Sequence, residues 1–169
     1  MYKGEQDKNS NFASEKNSEQ NGNNEEKGFQ SQNLALRHNN LRASEAVLDD
    51  KTQRIVYEDG MVYIGEVEGK MKHGKGKLID PKGTTYEGEF VNDRIEGKGK
   101  LTAVDGTIYE GEWKYDQQHG YGRESWPDNS YYEGYYKNGV KHGEGKYVWA
   151  DGSVYKGNWA AGNIEGYVT

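Results

Sequence analysis

The chain has 169 residues, a formal net charge of −6 and a mean hydropathy of −1.17, with 32% hydrophobic residues, 24 glycines and no cysteine. That balance argues against a thick two-layer core, rules out disulfide or thiolate–metal bracing, and by its acidity disfavours bulk nucleic-acid binding. No apolar run approaches the roughly 20 residues that span a bilayer, and the N-terminus lacks the apolar stretch of a secretory signal.

Residues 1–32 are rich in Asn, Gln, Ser, Glu and Lys with few scattered apolar side chains. Such a stretch buries too little area to offset its ordering entropy, so a disordered tail is expected. In residues 33–53, Leu34, Leu41 and Leu48 stand seven apart (41−34, 48−41) and Asn40 offers a helix N-cap. A short amphipathic helix and linker is expected there, folded onto the neighbouring sheet or docked on another protein.

From residue 54 the chain is periodic. Tyr63, Tyr86, Tyr109, Tyr132 and Tyr155 are spaced by 23 residues (86−63, 109−86, 132−109, 155−132), and their neighbours travel with them. A fixed period of this length means one supersecondary unit copied in a row, each copy burying its apolar side on the next. The array opens with a half-unit at 54–62, where Asp59-Gly60 falls in step with Asp105-Gly106 and Asp151-Gly152. Full units follow at 63–85, 86–108, 109–131 and 132–154, and a truncated unit at 155–169.

Within a unit, alternation puts Tyr86, Gly88 and Phe90 on one face and Glu87 and Glu89 on the other. A second alternating stretch, Gly97 to Leu101, follows Asn92-Asp93, and Asp105-Gly106 turns the chain into the next tyrosine. Asn138-Gly139 is a strong two-residue hairpin signal in unit four. Two strands per unit predict an all-β, elongated, single-layer antiparallel meander. Repeated glycines leave room for rings from a neighbouring strand, which predicts an aromatic ladder of Tyr63, Tyr86, Phe90, Tyr109, Trp113, Tyr132, Tyr136, Tyr155 and Trp159 over bare backbone. The other face should carry cross-strand pairs such as Lys98 and Lys100 against Glu110 and Glu112, read as register and solubility devices.

Tyr86-Glu87-Gly88-Glu89-Phe90, Tyr109-Glu110-Gly111-Glu112-Trp113 and the Gly-x-Gly pairs Gly97/Gly99, Gly120/Gly122 and Gly143/Gly145 resemble MORN (membrane occupation and recognition nexus) repeats over residues 54–169. Departures are Val67 at the ring position of unit one, Glu124 where Leu or Tyr is usual, and Val168 in place of the second Gly of unit five. The resemblance implies a scaffold: members serve mostly in axonemal radial spokes, the cortical and division cytoskeleton, or membrane junctions.

Catalytic chemistry is not expected. Serines are few in the array, the glycine pairs lack the strand-to-helix setting of a phosphate loop, and the glutamates form a ladder, so no catalytic residue and no cofactor is assigned. His73, His119 and His142 share one repeat position, but equivalent positions lie about 9.5–10 Å apart, too far for one ion, so no metal is expected. Residues 54–169 hold 15 Lys and Arg against 19 Asp and Glu, 15−19 = −4, which disfavours acidic-phospholipid contact as the main role. The expected contacts are the ring column (Tyr86, Phe90, Tyr109, Trp113, Tyr132, Tyr136, Tyr155, Trp159), as a groove for an extended or helical partner segment, and the C-terminal edge with Tyr167, which could add a strand or a second copy of the chain. A cytoplasmic, cytoskeletal setting is expected, with a ciliary or flagellar axoneme as the home the resemblance implies. Partners would be other proteins of a large assembly, and the competing reading is a peripheral adaptor on acidic phospholipids.

Overall fold

The computed structural model describes residues 42–165, which form one open sheet of 12 antiparallel strands in sequence order. The strands are β1 (Arg42–Val47), β2 (Thr52–Tyr57), β3 (Val62–Glu68), β4 (Met71–Ile79), β5 (Thr85–Val91), β6 (Arg94–Thr102), β7 (Ile108–Lys114), β8 (Gln117–Ser125), β9 (Tyr131–Lys137), β10 (Val140–Val148), β11 (Val154–Ala160) and β12 (Asn163–Glu165). Every connection is a short turn, and each repeat is a pair of strands, as expected from the period.

Two kinds of turn alternate. Within units two to four the link is two residues, both at positive φ: Asn92 (48°) and Asp93 (70°), Tyr115 (50°) and Asp116 (65°), Asn138 (50°) and Gly139 (82°). These are the hairpin turns whose backbone twist matches that of the flanking strands. Between units a longer turn closes on itself, with Gly106 N donating to Ala103 O at 3.0 Å and Ala103 N donating to Thr107 O at 2.8 Å. The Asp105 carboxylate accepts from Thr107 N at 2.8 Å, and Asp59, Asp128 and Asp151 do the same two residues before Met61, Ser130 and Ser153.

Adjacent hairpins are also stitched at their tips. Asp93 N donates to Lys72 O, Asp116 N to Ile95 O, Gly139 N to Gln118 O and Gly162 N to Lys141 O, all between 2.9 and 3.1 Å. The carboxylates of Asp93 and Asp116 reach back the other way, accepting from Lys72 N at 2.8 Å and Ile95 N at 2.7 Å. Each unit therefore satisfies backbone groups of the one before it, which couples neighbours as a stacked array requires.

The core lies on one face and is one side chain thick. Tyr63, Tyr86, Tyr109 and Tyr132 lie flat over the glycines of their own hairpin. A Cβ at Gly111 would meet the Tyr109 hydroxyl oxygen at 2.8 Å, and Cβ atoms at Gly76, Gly99, Gly122 and Gly145 would strike the tyrosine rings themselves. Each phenol then donates to the carbonyl three residues on: Tyr63 to Glu66 at 2.6 Å, Tyr86 to Glu89 at 3.1 Å, Tyr109 to Glu112 at 2.8 Å, Tyr132 to Tyr135 at 2.9 Å and Tyr155 to Asn158 at 3.1 Å. That bond explains why the position holds Tyr and never Phe, since a buried hydroxyl needs an acceptor.

The N-terminal expectation requires correction. Among the described residues the sheet begins at Arg42, and residues 42–47 are strand β1 paired with β2 instead of part of the helix expected within 33–53. The open edge of β2 presents a row of unpaired N–H and C=O groups, and pairing with them overrides a modest helix propensity. The proposed apolar stripe does not pack on the sheet either, because Leu48 and Val47 are exposed. Leu34, Leu41 and the tail at 1–32 lie outside the described residues.

Candidate functional site

The ring column is placed with precision by the repeat. Phe90, Trp113, Tyr136 and Trp159 stand opposite Gly74, Gly97, Gly120 and Gly143 on the preceding hairpin. Together with the five tyrosines they form a continuous zipper: Tyr63–Phe90–Tyr86–Trp113–Tyr109–Tyr136–Tyr132–Trp159–Tyr155, with centroids 5.1–5.6 Å apart and ring planes at 80–90°. Edge-to-face contacts of this kind add about 0.5–1.5 kcal/mol each beyond area burial. The expected ladder is present in full.

Its accessibility differs from expectation. Tyr86, Phe90, Tyr109, Trp113, Tyr132, Tyr136, Tyr155 and Trp159 are each at most 5% exposed. The rings cover one another, and the gaps are filled by Leu78, Leu101 and Tyr147 from the intervening strands. The expectation of an open aromatic groove is corrected on that point: edge-to-face packing consumes the ring surfaces that a partner would have used. Tyr167 and the rest of the C-terminal edge at 166–169 lie outside the described residues.

Unit three departs from the pattern inside this core. Glu124 takes the place of Leu78 and Leu101 and is 2% exposed. Its carboxylate accepts from the Tyr136 hydroxyl at 3.2 Å and lies 3.8 Å from the Lys141 ammonium, itself fully buried. Lys141 sits in a cage of rings, 5.1 Å from the Tyr132 centroid, 5.2 Å from Trp126, 5.8 Å from Trp159 and 5.9 Å from Tyr147. The acid of one unit and the base of the next thus compensate each other. Lys72, three repeats earlier (141−72 = 69), is likewise buried, with its ammonium 3.0 Å from Asp93. Burial holds the Lys72 ammonium below its ordinary pKa against the pull of Asp93, and burial pushes the Asp116 carboxyl up.

The opposite face is the one open to solvent. Along β4, β6, β8 and β10 two extra residues bulge, as between Lys72 and Gly76 opposite Val67 and Gly65. The bulge glycines Gly74, Gly97, Gly120 and Gly143 all have φ between 61° and 79°, a conformation that other residues enter only with strain. His73, His119 and His142 precede three of them, and among the described residues no group of three or more metal-ligating side chains occurs. Glu66, Glu89 and Glu112 close these bulges, accepting from Lys75 N, Lys98 N and Tyr121 N at 3.3–3.4 Å. Glutamates on this face, expected to serve register and solubility, thus also cap the bulges. Their recurrence three residues after Tyr63, Tyr86 and Tyr109 is the signal in the sequence for a local capping role.

Charges on this face alternate across the strands. Lys75 pairs with Glu89, Lys77 with Glu87, Lys98 with Glu112, Lys100 with Glu110 and Arg123 with Glu133. Two shallow hollows of about 450 and 610 Å³ lie between these rows, floored by Gly99, Gly111 and Gly122 and by Gly65, Gly76 and Gly88. Between β4 and β11 the pattern breaks three times, all within β8–β11, one break being Glu144 opposite Asn158. At the place of Lys98 and Glu112, the next hairpin has Tyr121 opposite Tyr135. At the place of Lys100 and Glu110, the final pair is Lys146 opposite Lys156.

Comparison with known proteins agrees with the repeat. The sequence model of the MORN repeat matches residues 63–85, 86–108, 109–131 and 132–154, the same four full units. No curated protein matches the chain. Among solved structures it is similar to the TCP domain of SAS-4 (dCPAP) of Drosophila melanogaster, solved in complex with a proline-rich motif of Ana2 (dSTIL). Identity is 10%, coverage 67% of this chain and 75% of that one, and the TM-score 0.34. A point mutant of the TCP10 domain of Danio rerio CPAP is 17% identical over 64% of this chain and 72% of its own, with a TM-score of 0.21. Overlaps this loose carry no argument about binding.

Proposed function

This chain belongs to the MORN-repeat family, and from that premise we propose that it is a non-catalytic scaffold that holds segments of other proteins on the solvent face of its sheet. The observation that carries the reading is the division of labour between the faces. One face is filled by its own rings, whereas the other offers shallow, glycine-floored hollows between rows of charge. A long one-layer sheet with shallow hollows suits extended contact better than enclosure of a small substrate. The ring column contributes by fixing the sheet's shape. We place the scaffold in a cytoplasmic, cytoskeletal assembly, with the ciliary radial spoke as the setting suggested by family resemblance, and with self-association through the C-terminal edge as a further contact.

Cross-linking mass spectrometry on native cells tests this. Solvent-face lysines such as Lys75 and Lys98 should link to defined segments of another protein that fractionates with the cytoskeleton. Absence of such links, together with salt-sensitive flotation of the chain on anionic vesicles, would replace the scaffold with a peripheral membrane adaptor.

A further inference from the structure

Two of the breaks in the charge ladder, Tyr121 opposite Tyr135 and Lys146 opposite Lys156, fall on neighbouring strands, and each replaces a glutamate that three other units keep. Tyr135 stands where Glu66, Glu89 and Glu112 cap a bulge, so the bulge at Gly143 has lost that carboxylate, and Tyr135 Cβ lies 3.8 Å from where a Gly143 Cβ would be. Lys156 stands where Glu87, Glu110 and Glu133 answer the basic residue of the neighbouring strand. Neither change helps the sheet. The first gives up a hydrogen-bonding cap, and the second sets like charges directly opposite, which is unfavourable in a cross-strand pair.

What the changes create is a surface. Tyr121 and Tyr135 are 45% and 50% exposed, packed edge to face with centroids 5.4 Å apart, and Tyr121 lines the hollow over Gly111 and Gly122. Glu133 is already engaged, accepting from the Tyr121 hydroxyl at 3.0 Å and lying 3.9 Å from Arg123. Lys146 donates to the Tyr131 hydroxyl at 3.1 Å, and among the described residues no ion pair involves Lys146 or Lys156. At the usual strand spacing, Lys156 on β11 is two strands, about 10 Å, from the level of Tyr135 on β9. The patch therefore joins an exposed ring pair to two cations that face each other, with Glu133 opposite Lys146 on its other side and the exposed Glu144 two residues before Lys146 on β10.

Building on the scaffold reading, we infer that the β8–β11 part of the solvent face docks an acidic protein segment. An apolar or aromatic side chain of that segment covers Tyr121 and Tyr135, and an Asp or Glu carboxylate bridges Lys146 and Lys156. Aromatic anchors beside complementary charge are the usual composition of an interface centre. The bridging carboxylate supplies the acid that the repeat withholds at position 156.

The test uses variants that restore the chain's own repeat pattern and so preserve folding: Tyr135→Glu and Lys156→Glu. A photo-reactive amino acid at Tyr121 in the full chain, expressed in native cells, should cross-link to a segment rich in Asp and Glu. Lys156→Glu or Tyr135→Glu should each reduce that product at least about tenfold, while links from Lys75 persist. In vitro, a dye-labelled oligo-glutamate peptide with a central tryptophan should bind the wild type, weaken with salt, and lose about tenfold in affinity with either variant. Its oligo-lysine counterpart should not bind. Cross-linked segments that are neutral or basic, peptide binding indifferent to both variants, or capture only by phosphatidylserine vesicles would each overturn the inference. Loss of the Lys75 links as well would instead count against the scaffold reading from which it starts.

Discussion

Glu124→Leu and Lys141→Ile convert unit three and unit four to residues that the same chain uses at equivalent places, Leu101 and Ile95. Taken singly, each removes one member of a buried pair: Glu124 is 2% exposed and Lys141 fully buried, 3.8 Å apart. Leaving a buried charge without its counter-ion costs about 3–5 kcal/mol. For Glu124→Leu the lower end applies, because four rings within 5.1–5.9 Å still stabilise the ammonium. For Lys141→Ile the Tyr136 hydroxyl remains as a donor to the carboxylate, again moderating the loss. The double variant buries two aliphatic side chains in place of two charges and should fall between unchanged and about 4 kcal/mol more stable than wild type. The coupling between the sites is therefore about 6 kcal/mol or more, well above the usual range for neighbours. Urea unfolding followed by tryptophan fluorescence measures all four corners of the cycle, and hydrogen exchange across β8–β10 shows whether the loss stays local, as a repeat array permits. A single variant within about 1 kcal/mol of wild type, or a double variant as unstable as the worse single, would refute the compensating pair.

Alkaline stability follows from the ring column. Burial raises the phenol of Tyr57 to about 12 and those of Tyr63, Tyr86, Tyr109, Tyr132 and Tyr136 further, against 10.0 for the free group. The fold keeps protons that the unfolded chain releases, so stability is intact below pH 10 and falls as pH rises from there through about 12. Tyrosinate absorbance and circular dichroism should change together in that range; ionisation of the core tyrosines with the sheet intact would contradict it. Gly111→Ala would set a Cβ 2.5 Å from Gly122 Cα and 2.7 Å from Tyr121 O. Both obstacles are backbone, so about 1–3 kcal/mol of stability should be lost in urea titrations, and an unchanged midpoint would be inconsistent with the close approach. Trp113→Ala removes an indole that is 3% exposed and donates to Gly99 O at 3.1 Å, so it should cost about 3–5 kcal/mol of stability. A variant that loses a partner while unfolding like wild type would restore the open-groove view of the rings.

Much of the fold was legible because the informative features are periodic. Tyr63 to Tyr155 at constant spacing, glycines two residues after each tyrosine and Asn138-Gly139 between alternating stretches are local signals, and local signals suffice for a meander whose contacts are almost all between successive strands. The helix expected within 33–53 gives way to strand over 42–47 for the opposite reason. Its propensity was local, but β1 forms because β2 offers a free edge, a fact of the assembled sheet. Glu124 was visible as an irregularity without an explanation. Its partner Lys141 lies in the next unit, and nothing along the chain says that the two side chains share one buried space.

By itself the amino-acid order determined the repeat length, the all-β meander, the pairing of rings with glycines and the alternation of charge, since strand period and turn chemistry are properties of neighbouring residues. Only the tertiary structure decided which surface is left for a partner. Alternation tells that rings share a side, but whether they stay open or cover one another depends on ring-to-ring angles across several strands. In this sheet edge-to-face packing closes that side, and the open side is the charged one, with Tyr121, Tyr135, Lys146 and Lys156 at its irregular end.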